Sequence, residues 1–139
     1  MANKVTVQMN QVSPTTSEGT IRQHKVLIDR PEAKGGEDRG AMGGELLLAS
    51  LGGCFMSTLL AAIKAREANV SDVHIDISGT LEESPERFSA IEMTVMATYE
   101  DEELVRKLVT IAERSCIVSN TLKEAVDLSV NVRAEAATI

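Results

Sequence analysis

At 139 residues the chain has the length of one ordinary domain, and its net charge of -7, with no lysine or arginine cluster, excludes nucleic acid and anionic membrane as partners. The aromatic residues are Phe55, Phe88 and Tyr99, so stacking platforms for single strands are missing and the core must come from Leu, Val, Ile, Ala and Met. The N-terminus, MANKVTVQMN, has no basic patch followed by an apolar run; the expectation is a cytoplasmic protein with one domain over 1–139.

Asn3 to Val12 alternates Val5, Val7 and Met9 with Lys4, Thr6 and Gln8, the period of a strand. Ser13 to Gly19 reads as a turn. Thr20 to Asp29 reads as a second strand, with Arg22, His24, Val26 and Ile28 on one face, and the two pair as a hairpin. Arg30 to Met42 is the one long irregular stretch, holding Pro31, Gly35, Gly36 and Gly40. A loop that leads into a core helix often carries function, yet its composition suits a solvated connector equally well.

Gly43 to Glu67 is the stretch around which the chain is organised. No residue from Leu46 to Ile63 is charged, so a helix here is apolar nearly all round and should be buried on most sides. The run reaches the lower edge of a bilayer span. Its glycines, serines and threonine, and the strand patterns on both sides, favour a core helix of a soluble protein. Such a helix has more apolar surface than one small sheet can cover, which predicts a second subunit. Cys54 lies near its middle, on a stripe with Ser50, Leu51, Ser57 and Thr58, opposite Leu48, Phe55, Met56, Leu59 and Ile63. Gly52 and Gly53 each cost roughly 1 kcal/mol in a helix, which implies close approach of another element or a ligand.

Val73 to Glu82 and Phe88 to Tyr99 alternate around the turn-like Glu83 to Arg87, a second hairpin. Asp101 to Ser115 follows as a helix, acidic at its start and with a one-sided stripe of Leu104, Val105, Leu108, Val109, Ile111 and Ala112. Extending that stripe places Cys116 on the inward face. A capping box, Thr121 to Glu124, predicts a short helix to Val126, and Asp127 to Ala134 alternates as a last strand. The order gives an α+β fold, antiparallel sheet packed on helices.

Neither His24 nor His74 shows zinc spacing with the cysteines, and no metal or cofactor is expected. A buried cysteine is ordinarily a small inert hydrophobe. Two of them on inward faces, one beside glycines and hydroxyls, leave a working redox pair open as well.

The segments GGELLLASLGGCFMSTLLAA and AERSCIVSNTLKEAV resemble the two signature regions of the OsmC/Ohr family of osmotically inducible and organic hydroperoxide resistance proteins, and the order of elements is similar along essentially the whole chain. The resemblance implies antiparallel sheets around a long central buried helix in an intertwined homodimer, and a thiol peroxidase acting on organic hydroperoxides. In that reading Cys54 is the peroxidatic nucleophile and Cys116 resolves its sulfenic acid to a disulfide, which an external dithiol reduces. An arginine held by a glutamate activates the thiolate in the family; Arg30, ahead of the helix, and Glu45, at its start, are the candidates here. Three departures stand out. Gly43-Gly44 replaces the family's Pro-Glu at the helix entry, the arginine sits on different elements in different branches, and Ile117 replaces the proline that often follows the second cysteine. The competing reading is a non-enzymatic OsmC-like protein, a binder of small apolar or lipid-like molecules or a thiol sensor.

Overall fold

The computed structural model describes residues 2–133 together with the backbone of Glu135–Ala136. The chain falls into two compact units, Met1–Leu47 and Leu48–Ile139, taken here in turn.

The first unit is a three-stranded antiparallel meander, β1 (Gln8–Gln11), β2 (Ser17–Ile21) and β3 (His24–Ile28), in the order β1-β2-β3. The expected second strand from Thr20 to Asp29 is therefore two strands. The chain reverses at Arg22 and Gln23, with Arg22 at φ 57, and Ile21 pairs with His24. Arg22 and His24 thus belong to different strands. The turn contains none of the Gly, Asn or Asp residues that usually supply a positive φ, so the period-two alternation runs through it unbroken.

After β3 the irregular stretch is an ordered loop built around Asp29, which is buried. Its carboxylate accepts from Thr16 Oγ1 at 2.8 Å and from the backbone N–H groups of Arg30 at 2.7 Å, Glu37 at 3.2 Å and Arg39 at 3.2 Å. Burial alone would raise the Asp29 pKa, but the Thr16 hydroxyl and the Arg30 and Arg39 N–H groups outweigh it and hold the carboxyl far below its ordinary range. Glu37 gathers the hydroxyls of Ser13, Thr15 and Thr16 on one oxygen, and the first two lower its pKa most. Gly36 and Gly40 are needed for close approach: a Cβ at either would lie 2.0 Å from Arg30 O or 2.2 Å from Leu27 O.

Helix α1 (Gly43–Ala65) leads into the second unit, which continues with β4 (Val70–Glu82), β5 (Arg87–Tyr99), α2 (Glu102–Ser115), α3 (Ile117–Leu122), β6 (Asp127–Val132) and β7 (Glu135–Ala136). Ala134, the end of the expected last strand, lies outside the described residues. Strand β5 is central and the most buried, with β4 antiparallel on one side. Strand β6 runs parallel to β5, Ala90 to Val95 against Asp127 to Val132, where the sequence pattern alone gave only antiparallel pairing. The chain returns through α2 and α3 before β6, and a parallel pair needs such a crossover.

One core holds this unit together. Leu51, Phe55 and Leu59 of α1, Ile91, Met93 and Val95 of β5, and Val105, Leu108 and Ala112 of α2 are all buried in it. Helix α1 is long and apolar enough to cross a membrane; Leu51, Phe55 and Leu59 pack one face of it into the core, so the expected burial on most sides is found on one side in this chain. Gly52 provides the expected close approach, since a Cβ there would lie 2.1 Å from Ile77 Cδ1. At Gly53 nothing lies within 4 Å of the Cβ position among the described residues of this chain. The other side of α1 is open in the single chain, where Leu60 is 49% exposed and Ser50, Gly53 and Ser57 are exposed beside it.

Candidate active site

Cys54 and Cys116 meet inside the second unit. Cys54 is half-buried on α1 and packs against the core; Cys116 is fully buried, and both are free thiols. What brings them together is the corner between α2 and α3. Thr58, one turn past Cys54, donates its hydroxyl to Phe55 O at 2.9 Å and to Ala112 O at 3.0 Å. Ala112 lies in the last turn of α2, where carbonyls lack helical partners. The threonine thus fixes the end of α2 beside the cysteine helix.

Cys116 is the hinge of that corner. Its backbone N–H closes α2 onto Glu113 O at 3.4 Å, and its sulfur opens α3 by accepting the Ser119 N–H at 3.4 Å. The expected capping box at Thr121 is a correction. Helix α3 begins four residues earlier, and Thr121 lies within it, its hydroxyl bonded back to Ile117 O at 2.9 Å. A cysteine sulfur does the capping, and cysteine is not among the residues that signal a helix start.

The consequence is electrostatic. With α3 opened at Cys116, the backbone N–H groups of Ile117 and Val118 and the Cys116 thiol all act on the Cys54 sulfur. Partial burial pushes the Cys54 thiol up, but the Val118 N–H, the Cys116 thiol and the Ile117 N–H together outweigh it, and its pKa lies below that of an ordinary cysteine. Cys116 is shifted the other way. Burial raises it most, Ser119 offsets part of that, and the charge and hydrogen bond of Cys54 raise it further. The Ser119 hydroxyl faces Cys116 and favours its thiolate; while the thiol stays protonated, that buried hydroxyl has no partner of its own among the described residues. One sulfur is thus set up to hold the charge and the other to hold the proton.

The other two candidate residues lie in the first unit. Arg30 is exposed and lines a cavity of about 350 Å³ with Thr15, Ser17, Ile28, Asp29, Met42, Gly43 and Gly44. Glu45 is exposed in the first turn of α1, and its Oε1 accepts the Met42 N–H at 2.8 Å. No ion pair joins Arg30 to Glu45 among the described residues. No group of His, Cys, Asp and Glu that could hold a metal is found among the described residues. Sequence reasoning missed the Ile117 and Val118 amides and Ser119, since a main-chain donor leaves no mark on a side-chain pattern.

Comparison with known proteins identifies the lineage. The family model described as OsmC-like protein matches residues 35–131, most of the chain and both cysteine segments. The chain belongs to the OsmC-like family. Among solved structures, a hypothetical protein of Aquifex aeolicus VF5 superposes with a TM-score of 0.84 at 19% identity, over 99% of this chain and 100% of that one. An OsmC-like protein of Mycoplasma pneumoniae gives 0.82 at 17% identity, over 99% and 100%. An organic hydroperoxide resistance protein of Elizabethkingia anophelis gives 0.74 at 18% identity, over 97% and 100%. No curated protein matches the sequence. At these identities the superpositions establish the OsmC-like fold, and the α+β order of helices and sheets agrees with it throughout.

Proposed function

We propose that this OsmC-like protein reduces organic hydroperoxides with Cys54 and Cys116. The observation that supports the reading is the meeting of half-buried Cys54 on α1 with buried Cys116 at the α2–α3 corner, both free thiols. A nucleophile needs the thiolate, and a leaving alkoxide needs a proton. The Cys54 thiolate attacks the distal oxygen of ROOH, the O–O bond breaks, and Cys54 becomes a sulfenic acid. The alkoxide leaves as ROH, taking its proton from the Cys116 thiol. The Cys116 thiolate then attacks the Cys54 sulfur, forming the disulfide and releasing the hydroxyl, which departs as water with a proton from solvent. An external dithiol restores both thiols, so each cycle consumes one peroxide and one dithiol.

The half-buried position of Cys54 leaves it reachable from solvent, while the exposed apolar side chain of Ile117, next to Cys116 in the chain, offers surface to the organic group of a peroxide. We place Arg30, and Glu45 behind it, as the supporting cation and its carboxylate on the family resemblance alone. We also infer a homodimer in which the open face of α1 packs against a second copy, because Leu60, Gly53 and Ser57 form an apolar to small stripe that suits close helix contact. A cytoplasmic setting fits two reduced cysteines.

The test mixes reduced protein with cumene hydroperoxide and dithiothreitol and follows peroxide loss. Turnover is expected in the wild type, none in Cys54→Ser, and in Cys116→Ser a sulfenic acid that persists on Cys54. Equal turnover in Cys54→Ser refutes the assignment. Slow thiol oxidation together with a co-purifying apolar ligand would instead favour the non-enzymatic binder.

A further inference from the structure

We propose that the cleft on the outer side of the α2–α3 corner is a binding site for a small organic monocarboxylate. The cleft has a volume of about 280 Å³ and is lined by Glu113, Arg114, Ser119, Asn120, Lys123 and Leu128. That is roughly the space of nine water molecules, enough for a short acid and too little for a long chain.

Its lining is unusual for a chain of net charge -7. Two cations share it, and neither Arg114 nor Lys123 has a carboxylate within 4.0 Å among the described residues. Glu113 is the single acid on the wall, so the lining carries one net positive charge and suits a singly charged anion. A doubly charged phosphate would meet Glu113 without a third cation to offset it.

The polar groups add direction. The Asn120 amide is already spent on Arg114 O at 3.1 Å, which braces the wall where the two helices meet. Ser119 is 2% exposed, and its hydroxyl has no hydrogen-bond partner among the described residues. That hydroxyl is closed off from the cleft and faces Cys116, so Arg114 and Lys123 carry the recognition of the carboxylate. Leu128 offers an apolar surface for the rest of the ligand.

The same serine touches the redox pair, since its backbone N–H donates to Cys116 Sγ. A bound carboxylate brings negative charge to the outer side of the corner that Cys116 forms, which disfavours the Cys116 thiolate and slows disulfide closure. Binding stands apart from the peroxidase reading, whereas this last consequence rests on it.

The experiment titrates the reduced protein, wild type and Cys54→Ser, with butyrate, with its neutral isostere butyramide, and with inorganic phosphate, following the amide resonances of Ser119, Asn120 and Lys123. Saturable shifts are expected with butyrate, a dissociation constant on the order of 1 mM, and none with butyramide. The double substitution Arg114→Gln with Lys123→Gln should weaken butyrate at least about tenfold, the loss of roughly one charge-assisted hydrogen bond. Both side chains are exposed, and unchanged resonances elsewhere will show that the fold is intact. No saturation in the millimolar range, the same affinity in the double variant, or phosphate binding as tightly as butyrate overturns the proposal. Stopped-flow closure of the disulfide after one equivalent of peroxide should slow with butyrate in the wild type and not in the double variant. Binding without that slowing leaves the site standing and sinks its coupling to Cys116.

Discussion

Replacing Ile117 by proline removes one N–H donor from the Cys54 sulfur and disturbs little else. Ile117 is the first residue of α3, a position whose N–H has no helical partner and which proline favours. Cys116 before it sits at φ -81 and ψ 113, in the extended region that a residue preceding proline requires. The side chain itself is 75% exposed, so Ile117→Ala is a clean control that keeps the amide. A hydrogen bond to a charged group contributes about 1.5–3 kcal/mol. Water reaches half-buried Cys54, so the low end applies, and about 1.4 kcal/mol is tenfold in an equilibrium constant. At any pH where the thiol is mainly protonated, Ile117→Pro should lower the Cys54 thiolate fraction, and its alkylation by iodoacetamide in a Cys116→Ser background, by roughly tenfold. The rate profile should move to higher pH. Ile117→Ala should match the parent. Equal profiles for the proline and alanine variants would show that the amide does not hold the charge and that activation lies elsewhere.

Four further outcomes are expected. Asp29 is held low in the fold, so its contribution is fully present above its unfolded value near 3.9 and is lost as pH falls toward the folded one. Urea unfolding should therefore weaken steeply below about pH 4 in the wild type, and the slope should flatten in Asp29→Asn, which is also less stable at neutral pH. Gly36→Ala forces a Cβ to within 2.0 Å of Arg30 O, a backbone atom that cannot rotate away, and should cost more than about 2 kcal/mol in the same assay. Glu45→Ala removes the carboxylate from the Met42 N–H and should cost about 1 kcal/mol, seen as a lower urea midpoint with unchanged slope. Leu60→Glu, on the open face of α1, should yield a folded monomer by sedimentation; a dimer that survives it would place the second copy elsewhere.

Much of the fold was legible because its signals are local and periodic. The charge-free run marks α1, the alternation marks β4 and β5, and the stripe of α2 carries directly to Cys116. What escaped were features with no local mark. The reversal at Arg22 uses a positive φ at a residue that rarely adopts one, so the alternation across it reads as one strand. Asp29 looks like the end of a strand, and only the fold brings the amides of Glu37 and Arg39 onto it. The parallel pairing of β6 has the same period as an antiparallel one, and only the crossover through two helices decides between them.

The site shows the same division between side chains that can be read and a backbone that cannot. The stripe drawn through Cys54 does not hold, because Leu51, set opposite Phe55 and Leu59 by that reading, is buried in one core with them. Inward placement of both cysteines follows from helical spacing. Their electrical asymmetry does not, because it comes from where α3 starts. Had the capping box at Thr121 opened that helix, the amides of Ile117 and Val118 would lie in a connecting loop, with no reason to converge on one sulfur. Because Cys116 opens it instead, one residue ends α2, starts α3 and sets two main-chain N–H groups and its own thiol where they lower the Cys54 pKa. The departure at position 117 then takes on a physical meaning. Where the family often has a proline, which has no N–H, this chain has an isoleucine whose amide lowers the pKa of Cys54.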